Sequence, residues 1–260
     1  MSLLMKLQGY LRSLRQYLAT PKGAFDARDY LKAAGLMLLS MAALAFVVEL
    51  FLGERVMKGI GIMGGTFDPI HMGHLLTAEY VRDAYGLEKV LFIPAANSPF
   101  KLEKKVESAE DRLAMTRLAV ADNPHFEASD IEMRREGVSY TSDTIALLRA
   151  RFGLDVPLYF ITGADAINDL PAWHHPRELL ELCHFIAATR QGTALDLPKL
   201  RAFFGALCDA HIHELATPEL EISSTEIRAR IRQGRSIRYM VPESVETYIR
   251  KEGLYRCVME

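Results

Sequence analysis

From Lys58 onward, short unbroken apolar runs alternate with longer stretches whose apolar residues recur at helical spacing. "GIGIMGG" (59–65), "KVLFIPA" (89–95), "LYFITGAD" (158–165) and "HFIAATR" (184–190) have the length and continuity of strands buried on both faces. "HLLTAEYVRDAYG" (74–86) reads as a helix ending at Gly86. "SAEDRLAMTRLAVAD" (108–122) opens with a capping serine and first-turn acids. "PESVETYIRKEG" (242–253) has Pro242 at its first turn and Gly253 past its end. Strands alternating with helices build parallel sheets covered on both faces, so the expected fold is α/β, a doubly wound parallel sheet of Rossmann-like type. Ligands of such sheets bind outside the carboxyl ends of the strands.

Residues 1–56 read differently and are expected to form a helical extension before a catalytic domain at 57–260. "AAGLMLLSMAALAFVV" (33–48) is sixteen residues without a charge, short of the roughly 20 that a membrane-spanning helix needs. It starts too late for a simple signal peptide, and no clear small-residue cleavage site follows it. Three readings stand side by side: a helical hairpin that packs on something or lies on a membrane, a membrane anchor, and an upstream extension outside the working protein that starts at Met57. The basic residues before the run (Lys6, Arg12, Arg15, Lys22, Arg28, Lys32) put the N-terminus in the cytosol by the positive-inside rule. For a spanning helix, that would set the following domain on the far side, in conflict with any need for cytosolic nucleotides.

Composition narrows the class further. The 260-residue chain is half apolar with a net charge of −2, which gives no global attraction to nucleic acid. Its three cysteines, Cys183, Cys208 and Cys257, form no CxxC pair, so neither a disulfide framework nor a zinc site is expected, and a reducing cytosol fits.

The first strand runs into "GIMGGTFDPIHMGH" (61–74). Gly64 and Gly65 let backbone N–H groups approach an anion, Thr66 adds a hydroxyl, and Pro69 stiffens the turn. His71 and His74 stand three residues apart, so both face one spot beyond the strand end. Two imidazole donors beside a glycine loop suit a phosphoryl group that gathers charge in a transition state. The plainer reading makes them caps of a helix start. The loop lacks GxxxxGK[ST] and a full GxGxxG at the strand end, which excludes a Walker A site and weakens a dinucleotide-redox reading. No third metal ligand stands nearby, so no metal site is assigned.

A second constellation lies at "EISSTEIRARIRQG" (221–234). Ser223 and Glu226 fit a capping box. Ser223, Ser224 and Thr225 with the free N–H groups of a helix start also suit a polyphosphate, and Arg228 stands one turn further on.

Together, "GGTFDPIHMGH" and "ISSTEIR" resemble the HxGH nucleotidylyltransferase superfamily. With "GVSYTSDT" (137–144), "ITGADAINDLPAWHHPREL" (161–179) and "IPAANSPFK" (93–101), the chain is similar to bacterial-type nicotinate-nucleotide adenylyltransferases over about residues 57–256. The resemblance implies transfer of the adenylyl group of ATP to nicotinate mononucleotide, giving deamido-NAD and pyrophosphate in NAD biosynthesis, with Mg²⁺ accompanying ATP. It implies catalytic roles for His71 and His74, and a phosphate region lined by Gly64, Gly65, Thr66 and Phe67. Ser223, Ser224, Thr225 and Arg228 would hold the polyphosphate of ATP. Asn97, Lys101, Thr141, Gly163, Asp165 and Trp173 would bind nicotinate mononucleotide, Trp173 by stacking on the pyridinium. Arg135 is a further guess for the same rim, with a solvated arginine as the plainer reading. The family's usual "PPHK" is "SPFK" here, so Phe100 replaces a polar histidine. The expected location is the cytoplasm; a homo-oligomer and a membrane contact through residues 1–56 are compatible with the sequence, a nucleic-acid partner is not. Alternatives are a related adenylyl- or cytidylyltransferase with another phosphorylated substrate, and a membrane-tethered nucleotide sensor. A HIGH-type aminoacyl-tRNA synthetase is excluded, since no tRNA-binding basic region or KMSKS-like element is present.

Overall fold

The computed structural model describes residues 3–51, 58–96, 106–135, 137–189, 194–218 and 220–256. The chain divides into two compact units, Met1–Val56 and Met57–Glu260.

The first unit is a pair of helices, α1 (Leu3–Leu18) and α2 (Pro21–Phe51). The turn between them is closed by the Thr20 hydroxyl, which donates to the Tyr17 carbonyl at 2.7 Å. The Tyr17 hydroxyl reaches across to donate to Asp26 in α2. Pro21 opens α2, where its missing N–H costs nothing. Among the described residues no helix is long and apolar enough to cross a membrane. The first twelve residues of α2 carry Lys22, Asp26, Arg28, Asp29 and Lys32.

The second unit runs β1 (Ile60–Gly65), α3 (Met72–Ala84), β2 (Lys89–Pro94), α4 (Ala109–Val120), β3 (Phe126–Ala128), α5 (Thr141–Phe152), β4 (Leu158–Gly163), α6 (Ala164–Asn168), α7 (Pro176–Leu182), β5 (His184–Thr189), α8 (Leu197–Phe204), α9 (Ala206–His211), β6 (Ile212–Ala216), α10 (Ser224–Arg232) and α11 (Glu243–Glu252). The six strands form one sheet in the order β3-β2-β1-β4-β5-β6, and every pairing is parallel. This is the expected doubly wound sheet. The strand order reverses between β1 and β4, which opens a crevice at their carboxyl ends.

Alternate residues of each strand feed two cores. Leu91 and Ile93 of β2 join Ile60, Ile62 and Phe160 against α5, α7 and α8. Val90 and Phe92 of the same strand join Met63, Ile161 and Ile186 against α3, α4 and α11. The four inner strands match the four apolar runs in the sequence. The edge strands β3 and β6 were not expected there: all three β3 residues are half-buried and β6 alternates between inside and outside, so neither makes a continuous run. The helix expected at 74–86 begins two residues earlier, at Met72, because His71 caps it.

Three histidines meet at the amino ends of β5 and β6. His184 Nδ1 lies 3.1 Å from His213 Nε2, and the His184 ring stacks on His211 at 4.8 Å. Burial, followed by repulsion from His211 and His213, pushes the His184 imidazole down to about 4. Burial also lowers His213, with His211 adding to the effect. An unfolded histidine titrates near about 6.5, so the unfolded chain binds more protons between that pH and 4. The stability present above the unfolded value is therefore lost as pH falls through the folded one. Thermal melts followed by circular dichroism should show the transition dropping between pH 6.5 and 4, and His184→Gln should flatten that slope. An equal slope in the variant would show that the cluster does not titrate on unfolding. Because strand β1 and both cores draw on residues after Met57, a chain begun at Met57 is expected to melt at the midpoint of the full protein's main transition; an insoluble product would place residues 1–56 in the core.

Candidate active site

The crevice is built from the loop between β1 and α3. Its backbone turns sharply: Phe67 has φ +50° and Asp68–Pro69 is cis. A side chain other than glycine tolerates positive φ only when its surroundings hold it there. The Phe67 ring is buried at 3% exposure and meets the His74 ring edge-on at 5.1 Å. Of the expected phosphate-lining residues, Phe67 therefore gives its side chain to the core and offers only backbone to the crevice. Gly64 lies against the Phe160 ring, where a Cβ would come within 3.1 Å.

His71 caps α3 from an extended backbone conformation. The His71 N–H donates to His74 Nδ1 at 3.2 Å, and each ring serves the other's backbone in a reciprocal capping box. The rings stack at 3.7 Å. Gly73 leaves the His71 ring its room, since a Cβ there would lie 3.1 Å from His71 Nδ1 and push the ring by a few tenths of an ångström. The capping reading and the shared-spot reading are thus both realised by one arrangement. It has a chemical consequence. A neutral His74 whose Nδ1 accepts a hydrogen bond carries its proton on Nε2, the form that donates to an anion.

The second constellation docks on this loop from about 155 residues away in sequence. The Ser224 hydroxyl donates to the Pro69 carbonyl at 2.9 Å. Arg228 donates to the Asp68 carbonyl at 2.6 Å and to the Thr225 hydroxyl at 3.3 Å. Ser223 caps α10 by accepting the Glu226 N–H at 3.1 Å. The starts of α3 and α10, each carrying the positive end of a helix dipole, are therefore brought side by side.

The residues expected around the nicotinate fall in a second group. Thr141 opens α5, which has no side-chain cap. Trp173 is half-buried, edge-on to Phe160 at 6.0 Å and to Phe185 at 6.2 Å, so one part of the indole packs on the core. The two segments are joined by residues the sequence reading passed over. Tyr140 stacks on His174 at 4.3 Å, and the Ser142 hydroxyl meets His174 Nδ1 at 3.1 Å. Gly163 ends β4 and Asp165 follows it; the Asp165 carboxylate lies over Gly163, 2.5 Å from where a Cβ would stand. Arg135 pairs with Asp143 in the first turn of α5 at 2.6 Å. Asn97, Lys101 and Phe100 lie outside the described residues. Among the described residues, no group of three or more His, Cys, Asp or Glu is placed to hold a metal ion.

Two buried charges behind the crevice also escaped the sequence reading. Arg112 is 2% exposed. It donates to the carbonyls of Thr66 and Ala95, both at 2.7 Å, to Ala96 at 3.3 Å and to Glu107 at 3.1 Å. Burial pulls its pKa down. It fixes the loop after β1 to the loop after β2. Glu132 accepts from the Thr144 hydroxyl at 2.8 Å, and burial raises its carboxyl.

The cytidylyltransferase-like family model matches residues 62–230. A probable nicotinate-nucleotide adenylyltransferase of Thermoanaerobacter sp. is 50% identical over 78% of this chain and 96% of its own. One from Moorella thermoacetica is 51% identical over 76% of this chain and 91% of its own. Among solved structures, the nicotinic acid mononucleotide adenylyltransferase of Plasmodium falciparum complexed with NaAD shares the fold with a TM-score of 0.63. It is 21% identical and covers 76% of this chain and 97% of its own.

Replacing Arg112 by Met removes the donors to four carbonyls in a site with little room for water. Leaving buried acceptors unpaired costs about 1–3 kcal/mol each, so a loss of at least about 2 kcal/mol is expected from the denaturant midpoint. A change below about 0.5 kcal/mol, the level of an ordinary surface substitution, would show that Arg112 does not hold these loops.

Proposed function

The chain belongs to the nicotinate-nucleotide adenylyltransferase family within the cytidylyltransferase-like group, and on that premise we propose how its crevice carries out the reaction. The protein transfers the adenylyl group of ATP to nicotinate mononucleotide, forming deamido-NAD and releasing pyrophosphate. The observation that carries the assignment of roles is the docking of α10 on the β1–α3 loop through Ser224 and Arg228. It gives one anion site two helix starts and two imidazoles.

The mononucleotide phosphate is already ionised at neutral pH, so the attack on the α-phosphorus of ATP needs no general base. Catalysis then rests on alignment and on donors that meet the growing charge. His74, with its proton on Nε2, and His71 beside it donate to the reacting phosphates. The backbone of Gly64, Gly65 and Thr66 faces the same phosphates. Ser223, Ser224, Thr225 and Arg228 hold the β- and γ-phosphates, and pyrophosphate leaves along α10. Ser223 and Arg228 are already oriented by their bonds to Glu226 and Asp68, so little entropy is lost on binding. Nucleotidyltransferases of this kind use a divalent metal; here it is Mg²⁺, entering as part of the substrate MgATP.

The nicotinate ring lies on the exposed part of Trp173, where the pyridinium charge meets the π face. Its carboxylate takes the backbone donors of the uncapped α5 start at Thr141, which a neutral amide exploits less well. Asp165 accepts from a ribose hydroxyl. The supply of ATP sets the catalytic unit in the cytosol.

Pyrophosphate release, measured with ATP or CTP against a panel of phosphorylated acceptors, tests the reading. Nicotinate mononucleotide with ATP should give the highest kcat/KM. The amide analogue should be weaker by the factor that a charge-assisted hydrogen bond of about 1.5–3 kcal/mol implies. His71→Ala and His74→Ala should each lose roughly 10²–10³-fold in rate while still unfolding cooperatively, with no more than the roughly 0.5–2 kcal/mol that a lost helix cap costs. Trp173→Ala should raise KM for the mononucleotide and leave that for ATP unchanged. Near-wild-type turnover in either histidine variant would overturn the roles assigned to them.

A further inference from the structure

The helices α1 and α2 leave an unusual amount of apolar side chain in water. On α1, Tyr10, Leu11, Leu14, Tyr17 and Leu18 are 40–76% exposed. On α2, Leu36, Met37, Leu38, Leu39 and Met41 are 57–70% exposed, as are Phe25 and Tyr30 at 65% and 77%. Contiguous patches of this kind are rare on a free soluble surface and mark something that covers them.

The charge pattern says what the cover is. Residues 3–51 hold six basic side chains against three acidic ones, in a chain whose total is −2. No acid precedes Asp26, whereas Lys6, Arg12, Arg15 and Lys22 do. Leu7, Leu11, Leu14 and Leu18 recur at helical spacing along α1, with Arg12 and Arg15 off that stripe. An apolar stripe, tyrosines beside it and cations on the polar side are the features of a helix that lies in the headgroup plane. A second copy of this chain would bring like charges together. An anionic phospholipid surface takes both the apolar stripe and the cations. Crossing the bilayer is a different matter, since no described helix is long and apolar enough.

We propose that residues 3–51 dock the protein on an anionic phospholipid surface, with the α1 stripe among the acyl chains and Arg12 and Arg15 at the phosphates. The catalytic unit then stays on the ATP side, and deamido-NAD forms next to the membrane. This inference does not depend on the identity of the acceptor substrate.

The experiment is co-sedimentation of the full chain with vesicles of phosphatidylcholine alone or with 30% phosphatidylglycerol, at low salt and at about 0.5 M salt, where the Debye length is shorter than 5 Å. The protein should bind the anionic vesicles about tenfold more tightly than the neutral ones and lose that margin in salt. R12Q/R15Q should remove the margin, and L11D/L14D should abolish binding to both vesicles. All these side chains are exposed, so pyrophosphate release should be unchanged in both variants. Sedimentation without vesicles would show self-association instead. Equal, salt-independent binding to both vesicles would show a cover without charge preference, and no binding to either would show that lipid is not the partner. Each of these three results overturns the proposal.

Discussion

One carboxylate ties together the parts of the crevice that lie far apart in the chain. Asp68 is 2% exposed. It accepts from the Tyr255 hydroxyl at 2.9 Å and the Glu107 N–H at 3.3 Å. The Arg228 guanidinium lies 3.6 Å from its second oxygen and donates to its backbone carbonyl. Burying a carboxylate costs several kcal/mol unless charge and donors compensate. Here the compensation comes from α10, from the approach to α4 and from the residues after α11. Burial and the Asp68 carboxylate push the Tyr255 phenol up, which keeps it a proton donor at any physiological pH. The loop between β1 and α3 can thus hold a left-handed Phe67 and stacked histidines because its neighbours are fastened to it. Arg112 does the same on the β2 side, through backbone carbonyls rather than a carboxylate.

This tethering explains why sequence reading reached some parts of the site and not others. His71, His74 and the hydroxyl residues Ser223, Ser224 and Thr225 announce themselves within a few residues, since helix starts and glycine turns are local events. The four inner strands are equally local, because a strand buried on both faces must be apolar throughout. The edge strands β3 and β6 meet solvent on one side and so lack that mark. Arg112 looks like any helix arginine in "SAEDRLAM" until the fold surrounds it with the carbonyls of Thr66, Ala95 and Ala96. The stack of Tyr140 on His174 joins residues 34 apart and has no local signature. A buried arginine or glutamate facing loops becomes visible only once the sheet order is known.

The same distinction applies to the histidines as chemistry. Spacing alone left capping and phosphate binding as rivals. The geometry realises the cap, and under the proposed function that same cap selects the tautomer that meets the phosphates. With Nδ1 of His74 accepting the His71 N–H, a neutral ring carries its proton on Nε2. Gly73 supports that choice, leaving room for the His71 ring over the first turn of α3.

The tautomer of His74 is therefore the most direct test of the account. Long-range ¹H–¹⁵N correlation on protein labelled with ¹⁵N-histidine separates the two nitrogens of each ring. The account predicts a neutral His74 with a protonated Nε2 and a bare Nδ1, and an Nε2 signal that moves when a non-hydrolysable ATP analogue binds. A proton on Nδ1, or an Nε2 signal indifferent to the analogue, would contradict it.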